Sequence, residues 1–400
     1  MTRQIRLLLT VCCIAVVAQV YAADWPQYMG PTANGLAPDK GINKNWAQKP
    51  PKALWQVALG DDGYAGPAVA EGKVFVIDHA GNQDIVRAID LTTGQDAWRF
   101  AYDDTDQANY GFARSTPSYS EGKLYTLGRM GQLFCLDAKT GQKVWALSIQ
   151  QQFGGQRPQW DYAASPLVDG NKVIVEPGGP TNTVALDKTT GQVIWKGGNS
   201  DVAGYATPVV ATINGVKEYV VFTGKSCTGV DAQTGRLLWA VPWKTEYDVN
   251  APMPIVAQNF VFISSGYNSG CALYQITPPQ GPKALWSSKE ISPHFNSPIF
   301  YKNVIFAVSE DFFVCLNGMN GQSNWRQFGF GKGSVVAVDD VLIALDGKDG
   351  NLVMAEADAK AYKELGRLKP LGGQSWTAPI IADGKLIVRN KKGMVCLDLM

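Results

Sequence analysis

The sequence predicts an all-β protein, an eight-bladed β-propeller of four-stranded antiparallel blades. The motif Ala-x-Asp-x-x-Thr-Gly-x-x-x-Trp recurs along the 400 residues, in complete and degenerate copies. The Trp residues that end it stand about 39 to about 50 residues apart, which is the period of a propeller blade. The 42 Gly and 22 Pro residues indicate many turns rather than long helices.

Each repeat has the pattern of four short strands. A Pro-led segment opens the unit at Pro67, Pro117, Pro166, Pro208, Pro252, Pro298 and Pro379. The Asp-x-x-Thr-Gly segment is predicted to be the hairpin between strands three and four, where Asp accepts hydrogen bonds from turn amides and Gly supplies a positive φ. The Trp on strand four offers an apolar face to the adjacent blade. These docking residues are Trp55, Trp98, Trp145, Trp195, Trp239, Trp286 and Trp325.

The two ends of the chain are predicted to close the ring together. Seven complete units extend to about Gly373, and the seventh (333–371) lacks both the Pro and the Trp. An eighth starts at Ser375 and stops at Met400 after three strands. Residues 53–57 have the strand-four pattern with no blade in front of them, so they are predicted to complete the eighth blade, which removes exposed sheet edges. The predicted propeller spans residues 53–400, after an N-terminal extension at 23–52.

The N-terminus has the pattern of an export signal. Arg3 and Arg6 precede an apolar run at residues 7–18, and residues 20–22 suit signal peptidase. A signal peptide at 1–22 and a periplasmic or secreted protein are therefore expected. The run is too short to cross a bilayer, and no later segment substitutes for it. Lipidation would need Cys12 or Cys13, and Val11 suits that reaction poorly. The 36 Lys+Arg against 35 Asp+Glu do not favour a nucleic-acid partner, and a monomer is expected.

Five cysteines follow the predicted signal peptide. Because the number is odd, a full disulfide framework is not expected. Cys135, Cys315 and Cys396 each precede a Leu in the same strand frame, which predicts buried packing residues. Cys227 and Cys271 fall near the start of equivalent strands in neighbouring repeats, and whether they pair is open at this point.

The repeated motif resembles the tryptophan-docking motif of the pyrroloquinoline quinone (PQQ)-like propeller repeats. That superfamily includes quinoprotein alcohol dehydrogenases and the propeller lipoprotein of the outer-membrane β-barrel assembly machine. The resemblance covers nearly the whole mature chain and implies the eight-bladed fold. The opening residues 24–31, with Gly35 and Trp46, are also similar to an exported subgroup of PQQ-like proteins. The motif indicates the fold and says little about activity, because the docking Trp is structural.

The resemblance implies the cofactor chemistry of the quinoprotein dehydrogenases only where the sequence also has their cofactor-binding features. The dehydrogenases pair PQQ with a vicinal disulfide, a calcium ion and a catalytic Asp. Here the adjacent pair Cys12-Cys13 lies in the predicted signal peptide, and no Cys-x-x-Cys-His for covalent haem occurs. The acidic cluster at 103–106 lacks the Gly and terminal Glu of a calcium loop, so a solvated loop is predicted. No cofactor or metal is assigned, and PQQ with calcium is kept as an alternative.

The predicted site lies among the loops at one face of the ring. The loops that join strand four of one blade to strand one of the next, called the mouth loops below, carry Tyr64, Tyr110, Arg114, Trp160, Tyr162, Tyr205, Tyr247, His294, Phe295, Lys332 and Trp376. The loops between strands two and three add His79, Arg129, Glu176, Lys225, Tyr267, Glu310, Lys348 and Arg389 on the same face.

These residues suit a planar or sugar-like ligand, because rings supply stacking area and charged groups fix orientation. The predicted contacts are Arg114, Trp160, Tyr162, Glu176, Tyr205, Lys332 and Trp376. The alternative is that the aromatic residues plug the channel or pack between blades. Arg114 is the sharpest candidate, since a charge beside the innermost strand is costly to bury without an anionic or carbonyl partner.

Two hypotheses about function follow. The first is an exported, non-catalytic binding or scaffold module for a protein partner or a small ligand at the channel mouth. The second is a PQQ-dependent dehydrogenase for an alcohol or sugar, with Glu246, Asp248 or Glu310 as metal ligand or base. Candidate catalytic groups are His294, Glu310 and Asp248, because the chain has two histidines and His294 lies in a mouth loop.

Overall fold

The computed structural model describes residues 24–107 and 110–400 and confirms the eight-bladed propeller. The predicted signal peptide lies outside the described residues. Blades one to four consist of Ala68–Ala70, Lys73–Ala80, Gln83–Asp90 and Asp96–Asp103; Ser118–Ser120, Lys123–Leu127, Gln132–Asp137 and Lys143–Ser148; Leu167–Asp169, Lys172–Val175, Thr183–Asp187 and Val193–Gly197; and Val209–Ile213, Val216–Phe222, Ser226–Asp231 and Leu237–Pro242.

Blades five to eight follow the same antiparallel order. They consist of Ile255–Ala257, Phe260–Ser265, Gly270–Thr277 and Gly281–Ser288; Ile299–Tyr301, Val304–Ser309, Phe312–Asn317 and Ser323–Phe328; Ser334–Val338, Val341–Leu345, Leu352–Glu356 and Glu364–Leu368; and Ile380–Ala382, Lys385–Arg389, Gly393–Asp398 and Ala53–Ala58. Short helical segments at Ile149–Phe153 and Glu246–Asp248 lie in mouth loops. Within the described part of the chain, no helix has the length and apolar character to span a membrane.

The ring closes as the sequence predicts. Strand Ala53–Ala58 pairs antiparallel with Gly393–Asp398, with Trp55 opposite Cys396. The eighth blade therefore joins the two ends of the propeller in one sheet, and its core continues into the first blade. Cys227 and Cys271 are both buried free thiols, so they do not pair.

The docking tryptophans join each blade to the next by a hydrogen bond as well as by packing. Trp55 donates its indole N–H to the Leu91 carbonyl in the hairpin of the first blade at 2.8 Å. Gly94 of that hairpin has φ +73°, and a Cβ there would lie 2.8 Å from Cγ of Trp55. The hairpin therefore needs Gly for its backbone conformation and for the indole packed on it. The same bond is made by Trp98 to Ala138, Trp145 to Lys188, Trp195 to Ala232, Trp286 to Gly318 and Trp325 to Asp358.

Trp239 departs from this pattern because the fifth blade, which it faces, lacks the Asp-x-x-Thr-Gly hairpin. Its indole N–H donates to Oε2 of Glu218 in its own blade at 2.6 Å. Gly229 leaves the space for this pair, since a Cβ there would collide with the Glu218 carboxylate and the indole. Burial raises the pKa of Glu218 to about 7. In blade four, a hydrogen bond within the blade therefore takes the place of the usual hydrogen bond to the next blade.

The seventh blade has no docking Trp on strand four, and Trp46 of the N-terminal extension lies beside the vacant position. Gly366 lies opposite Met354, next to a register shift, where other blades place their Trp. Trp46 packs against this glycine, and its side chain is 1% exposed. A Cβ on Gly366 would lie 2.6 Å from Cβ of Trp46. Trp46, although it precedes the predicted propeller at residues 53–400, packs in the core of blades seven and eight.

The extension also covers one end of the central channel. Strand Leu36–Ala37 pairs in parallel with the innermost strand of blade seven, Ser334–Val338. Trp25 exchanges two backbone hydrogen bonds with Val69 on the innermost strand of blade one, at 2.9 and 2.8 Å. Tyr28 lies 3.3 Å from the Ser297 hydroxyl beside the innermost strand of blade six. These contacts tie the extension to three blades around the axis.

Candidate functional site

The central channel contains a cavity of about 520 Å³. Its walls are mouth-loop side chains and the starts of the innermost strands. Trp25, Tyr28 and Met29 from the N-terminal extension also line it, at the end that the extension covers. The cavity has the size of a small-molecule site.

Seven aromatic side chains form a closed ring around the channel mouth. Neighbouring ring centroids are 4.2 to 6.5 Å apart. Such spacing is typical of interacting aromatic pairs. In order around the mouth the members are Trp376, Tyr110, Trp160, Tyr247, Tyr267, His294 and Phe295. We call this set the aromatic ring. Tyr64 stacks on Trp376 at 5.3 Å and adds an eighth aromatic group to it.

Hydrogen bonds between side chains and the backbone fix several of the loops that carry the aromatic ring. The backbone N–H of Trp160 donates to the Tyr205 hydroxyl at 3.2 Å. Asn296 is buried, and its amide donates to the Trp376 carbonyl at 2.9 Å and to the Gly333 carbonyl at 3.2 Å. These bonds join loops from different blades, so the ring members are held in place before any ligand arrives.

The sequence prediction missed the hydroxyl groups that connect the innermost strands. Ser165 accepts a hydrogen bond from the Thr116 backbone N–H at 2.8 Å, and Thr207 accepts one from the Ser165 N–H at 3.0 Å. Ser297 accepts one from the Met253 N–H at 2.9 Å. The signal was present, because a Ser or Thr precedes the blade-opening Pro at Thr116, Ser165, Thr207 and Ser297.

A buried cluster of charges supports the loops before and after the second blade. Arg129 binds both carboxylate oxygens of Asp104 at 2.7 Å and Oδ2 of Asp161 at 3.0 Å. It also donates to the backbone carbonyl of Asp106. Asp104 is buried, so the prediction of a solvated loop at residues 103–106 is wrong for this residue. Its carboxylate is needed to neutralise a buried guanidinium.

Arg114 lines the channel next to this cluster without a full partner of its own. Its Nη2 donates to the Gly111 carbonyl at 3.2 Å, while Nη1 is 3.7 Å from Oδ2 of Asp161. Among residues 24–107 and 110–400, Nη1 is buried and has no hydrogen-bond acceptor. Burial lowers the pKa of Arg114 below its usual value, although the group remains a cation at neutral pH.

Two more donors face the same part of the channel. The indole Nε1 of Trp160 is buried and finds no acceptor within the described residues. The Tyr205 hydroxyl accepts from the Trp160 backbone, and burial raises the pKa of Tyr205 to about 12. It therefore keeps its proton at neutral pH and can donate it. Arg114, Trp160 and Tyr205 all line the cavity.

The structure separates the predicted ligand contacts into two groups. Arg114, Trp160, Tyr205, Lys332 and Trp376 line the channel, as does His294. Tyr162 and Glu176 do not belong to that lining, so the structure does not bring these two predicted contacts together with the others.

Tyr162 packs in the core beneath the second and third blades. Its hydroxyl donates to the Pro177 carbonyl at 2.8 Å. Glu176 is 3% exposed, and neither carboxylate oxygen has a hydrogen-bond partner among the described residues. Burial raises the pKa of Glu176 to about 8, so the group is mostly protonated at neutral pH. Sequence spacing placed both residues on the correct face but could not show which way their side chains point.

Two of the catalytic candidates, His294 and Glu310, form a hydrogen-bonded pair beside the aromatic ring. Nδ1 of His294 is 3.4 Å from Oε1 of Glu310, and this hydrogen bond lowers the pKa of Glu310. Lys332 lies over the Phe295 ring at 5.8 Å. Neither Glu310 nor Asp248 lines the cavity. The pair therefore positions the His294 ring beside Tyr267 and Phe295, and it does not place a carboxylate inside the channel.

His79 has a structural environment on the same face. Its Nδ1 is 2.9 Å from Oδ1 of Asp84, its Nε2 is 2.8 Å from the Gly81 carbonyl, and its ring stacks on Phe112 at 3.5 Å. Asp84, Asp104 and His79 lie close enough to hold a metal ion. However, Arg129 occupies both oxygens of Asp104, and both His79 nitrogens already face oxygens of the protein. The cluster is therefore explained by its own hydrogen bonds.

The channel does not fit PQQ with calcium. A calcium site needs several oxygen ligands, usually with carboxylates among them. Among residues 24–107 and 110–400, no Asp or Glu side chain lines the cavity, and the five cysteines described are separate thiols. Arg114 and Trp160, which line the cavity, each have a buried N–H nitrogen without an acceptor among the described residues, and such donors cannot ligate a cation. We derive no chemistry through this cofactor.

The fold and the site define a PQQ-type β-propeller with an aromatic-lined channel. Residues 81–327 match the family model described as outer membrane protein assembly factor BamB, and the chain belongs to this family. The match begins just before the third strand of blade one and ends in the last strand of blade six.

Individual relatives include assembly factors and dehydrogenases. BamB from Moranella endobia (strain PCIT) is 22% identical over 314 residues, which is 69% of this chain and 72% of that protein. A quinohemoprotein alcohol dehydrogenase from Comamonas testosteroni is 31% identical over 143 residues, which is 33% of this chain but 19% of that protein. A crystal structure under that second name, from the same organism, has a TM-score of 0.68 at 14% identity and covers 94% of this chain and 80% of its own. At that identity the likeness shows the fold alone.

Proposed function

We propose that the protein is an exported, non-catalytic binding module whose binding site is the channel mouth. The closed aromatic ring above a cavity of about 520 Å³ supports this most directly. Aromatic walls offer stacking area, and loops fixed by hydrogen bonds lose little freedom when a ligand binds. The described lining offers hydrogen-bond donors and hydroxyls, with no carboxylate to act as a base.

The dehydrogenase alternative has less support. It requires Glu246, Asp248 or Glu310 to reach the ligand as metal ligand or base, and none of them lines the cavity. A catalytic base must come within hydrogen-bond reach of the proton that it removes. His294 lines the cavity, but its Nδ1 faces Glu310 at the rim.

A protein partner is the second candidate, and the family match favours it. The family is named for an assembly factor, which indicates binding to other proteins. Tyr110 and Tyr247 project from the rim with 57% and 48% of their surface exposed. Exposed aromatic residues at a rim are common in protein interfaces. A partner on this face would cover the channel, so the two candidates compete for one site.

A fluorinated probe tests the binding proposal directly. In ¹⁹F NMR of the purified mature protein, 4-fluorophenylacetamide, a neutral flat ring, should show saturable line broadening. Trp376→Leu should weaken this binding about tenfold, because aromatic stacking contributes about 1 kcal/mol or more in addition to buried area. Phe328→Leu, on the exposed outer strand of blade six, is the matched control and should bind like wild type. Equal broadening for both variants would place the probe outside the ring and contradict the proposal.

Export, domain limits and subunit number belong to the same proposal. We propose a signal peptide at 1–22, an extension at 23–52 and a propeller at 53–400, in the periplasm or secreted as a monomer. N-terminal sequencing of the exported protein should give Ala23 as the first residue. Light scattering after size-exclusion chromatography should give one chain per particle, and a dimer mass would contradict the monomer.

A further inference from the structure

We infer that the channel selects a ring-bearing carboxylate, whose acidic group binds Arg114 and whose flat or cyclic body lies within the aromatic ring. This inference rests on the proposed binding function and names the class of ligand for the same site. Three independent observations support it: an under-neutralised arginine, two further donors beside it, and a lining whose charges have one sign.

The charge cluster leaves Arg114 without a hydrogen-bonded counter-ion. Arg129 takes both oxygens of Asp104 and the nearest oxygen of Asp161. Arg157 binds Asp106 at 2.7 Å and lies 3.5 Å from Asp161. Arg114 reaches the same Asp161 oxygen as Arg129, but at 3.7 Å, beyond hydrogen-bond range. A buried guanidinium that shares its carboxylate with two other arginines is stabilised when another anion binds it.

Hydrogen-bond donors of Trp160 and Tyr205, near Arg114, are also free to bind acceptor oxygens of a ligand. Nη1 of Arg114 and Nε1 of Trp160 are buried donors without acceptors among the described residues. The Tyr205 hydroxyl adds a third hydrogen, since its oxygen already accepts from the Trp160 backbone. Unpaired buried donors cost free energy, which a ligand recovers by supplying oxygens. A carboxylate has two oxygens with several lone pairs and can satisfy more than one of these donors.

The charge of the residues that line the channel favours a ligand with a net negative charge. Arg114 and Lys332 line the cavity, and within the described residues no carboxylate does. Arg114 lies beside Asp161, while Lys332 contacts the Phe295 face across the mouth. A singly charged acid therefore has one close cation and a second one at the rim. In a channel with apolar walls this field attracts anions and repels cations.

The aromatic ring determines what kind of ligand body can bind. Flat rings and the apolar faces of sugars both stack on aromatic side chains, so aromatic acids and sugar acids share the required chemistry. The walls between the ring and the floor include Pro67, Val249, Pro379 and Ile380, which favour an apolar body over a second charged group.

A matched pair of probes tests this inference. 4-Fluorophenylacetate and 4-fluorophenylacetamide share the same ring and differ in charge. We expect the acid to bind wild type at least tenfold more tightly than the amide in ¹⁹F NMR titrations at pH 7, because hydrogen bonds to a charged group are the stronger ones. Arg114→Gln should remove this preference, so that acid and amide bind the variant with affinities within twofold of each other. Arg326→Gln removes a half-exposed arginine on an outer strand and should retain the preference.

The outcomes separate the inference from the proposed function. If acid and amide bind wild type equally, or if Arg114→Gln keeps the preference, the carboxylate inference is overturned while channel binding stands. If neither probe binds, both fail. Retained amide binding by Arg114→Gln shows that the variant is folded. Displacement of the bound acid by glucuronate but not by glucose would indicate a sugar acid, and absence of displacement would indicate an aromatic acid.

Discussion

Removing Trp46 should destabilise the whole propeller, although this residue lies in the N-terminal extension. The buried indole corresponds to about 200 Å² of apolar surface, worth about 5 kcal/mol at about 25 cal/mol per Å² as an upper estimate. Replacing a buried Phe or Trp with Ala typically lowers the free energy of unfolding by about 3–5 kcal/mol. We therefore expect Trp46→Ala to cost about 4 kcal/mol, because the buried indole packs in the core shared by blades seven and eight, with Trp46 Cβ beside Gly366.

Calorimetry and near-UV circular dichroism of the mature protein measure this loss. At about 2.1 cal/mol/K per residue over some 370 residues, the unfolding entropy is about 0.8 kcal/mol/K, so about 4 kcal/mol lowers Tm by about 5 °C. Trp46→Phe should cost much less, since Nε1 of Trp46 has no partner among the described residues. Trp325→Phe should cost about 1 kcal/mol more than Trp46→Phe, because it also loses the hydrogen bond to Asp358.

Gly366→Ala tests the same contact from the other side. Its Cβ would lie 2.6 Å from Cβ of Trp46 and 2.8 Å from the Ala47 nitrogen, so about 1–3 kcal/mol of overpacking is expected. If Trp46→Ala lowers Tm by less than about 1 °C while Trp325→Ala lowers it by 5 °C or more, Trp46 is not a docking residue and the reasoning is refuted.

Three further predictions concern buried charges and the cofactor. Arg129→Gln should cost about 3–5 kcal/mol in urea unfolding by leaving Asp104 and Asp161 buried without their partner, whereas Arg326→Gln should change stability by less than about 0.5 kcal/mol. The pKa of Glu176 is raised to about 8, so its own contribution to stability should be greatest below about pH 4.5 and fall by up to about 1.4 kcal/mol per pH unit until about pH 8. Glu176→Gln should remove this share of the slope while Glu218 keeps its own, and an unchanged slope in the variant would contradict it. PQQ should quench tryptophan fluorescence equally with and without calcium, and calcium-dependent quenching would revive the dehydrogenase hypothesis.

The sequence predicted the repeated parts of the fold well, because each blade carries the same hairpin and Trp at nearly equal spacing. The closing strand could be found from Trp55, which has the strand-four pattern without a blade before it. The role of Trp46 could not, since it fills a position 320 residues away in a strand that has Gly in place of Trp. A contact between residues this far apart in the chain leaves no periodic signal in the sequence.

For the site, the sequence located the loops but not the directions of their side chains. Trp160 and Trp376 face the channel, whereas Tyr162, two residues after Trp160, turns into the core. Local spacing cannot separate these cases, because mouth loops have no regular period. The pairing of Arg129 with Asp104 was also missed, since an acidic cluster in a loop is usually solvated and its partner lies in another loop.

Whether the aromatic ring is a plug or a binding rim depends on what lies beneath it. A plug would fill the channel and satisfy the polar groups that it buries, since unpaired buried donors are costly. Instead a cavity of about 520 Å³ lies within the aromatic and strand walls, and Arg114 and Trp160 leave donors without acceptors in the described structure. That combination favours a rim whose ligand completes the hydrogen bonding. Because blades are built from docking contacts and mouth loops are not, related propellers can keep one fold while their channels bind different partners.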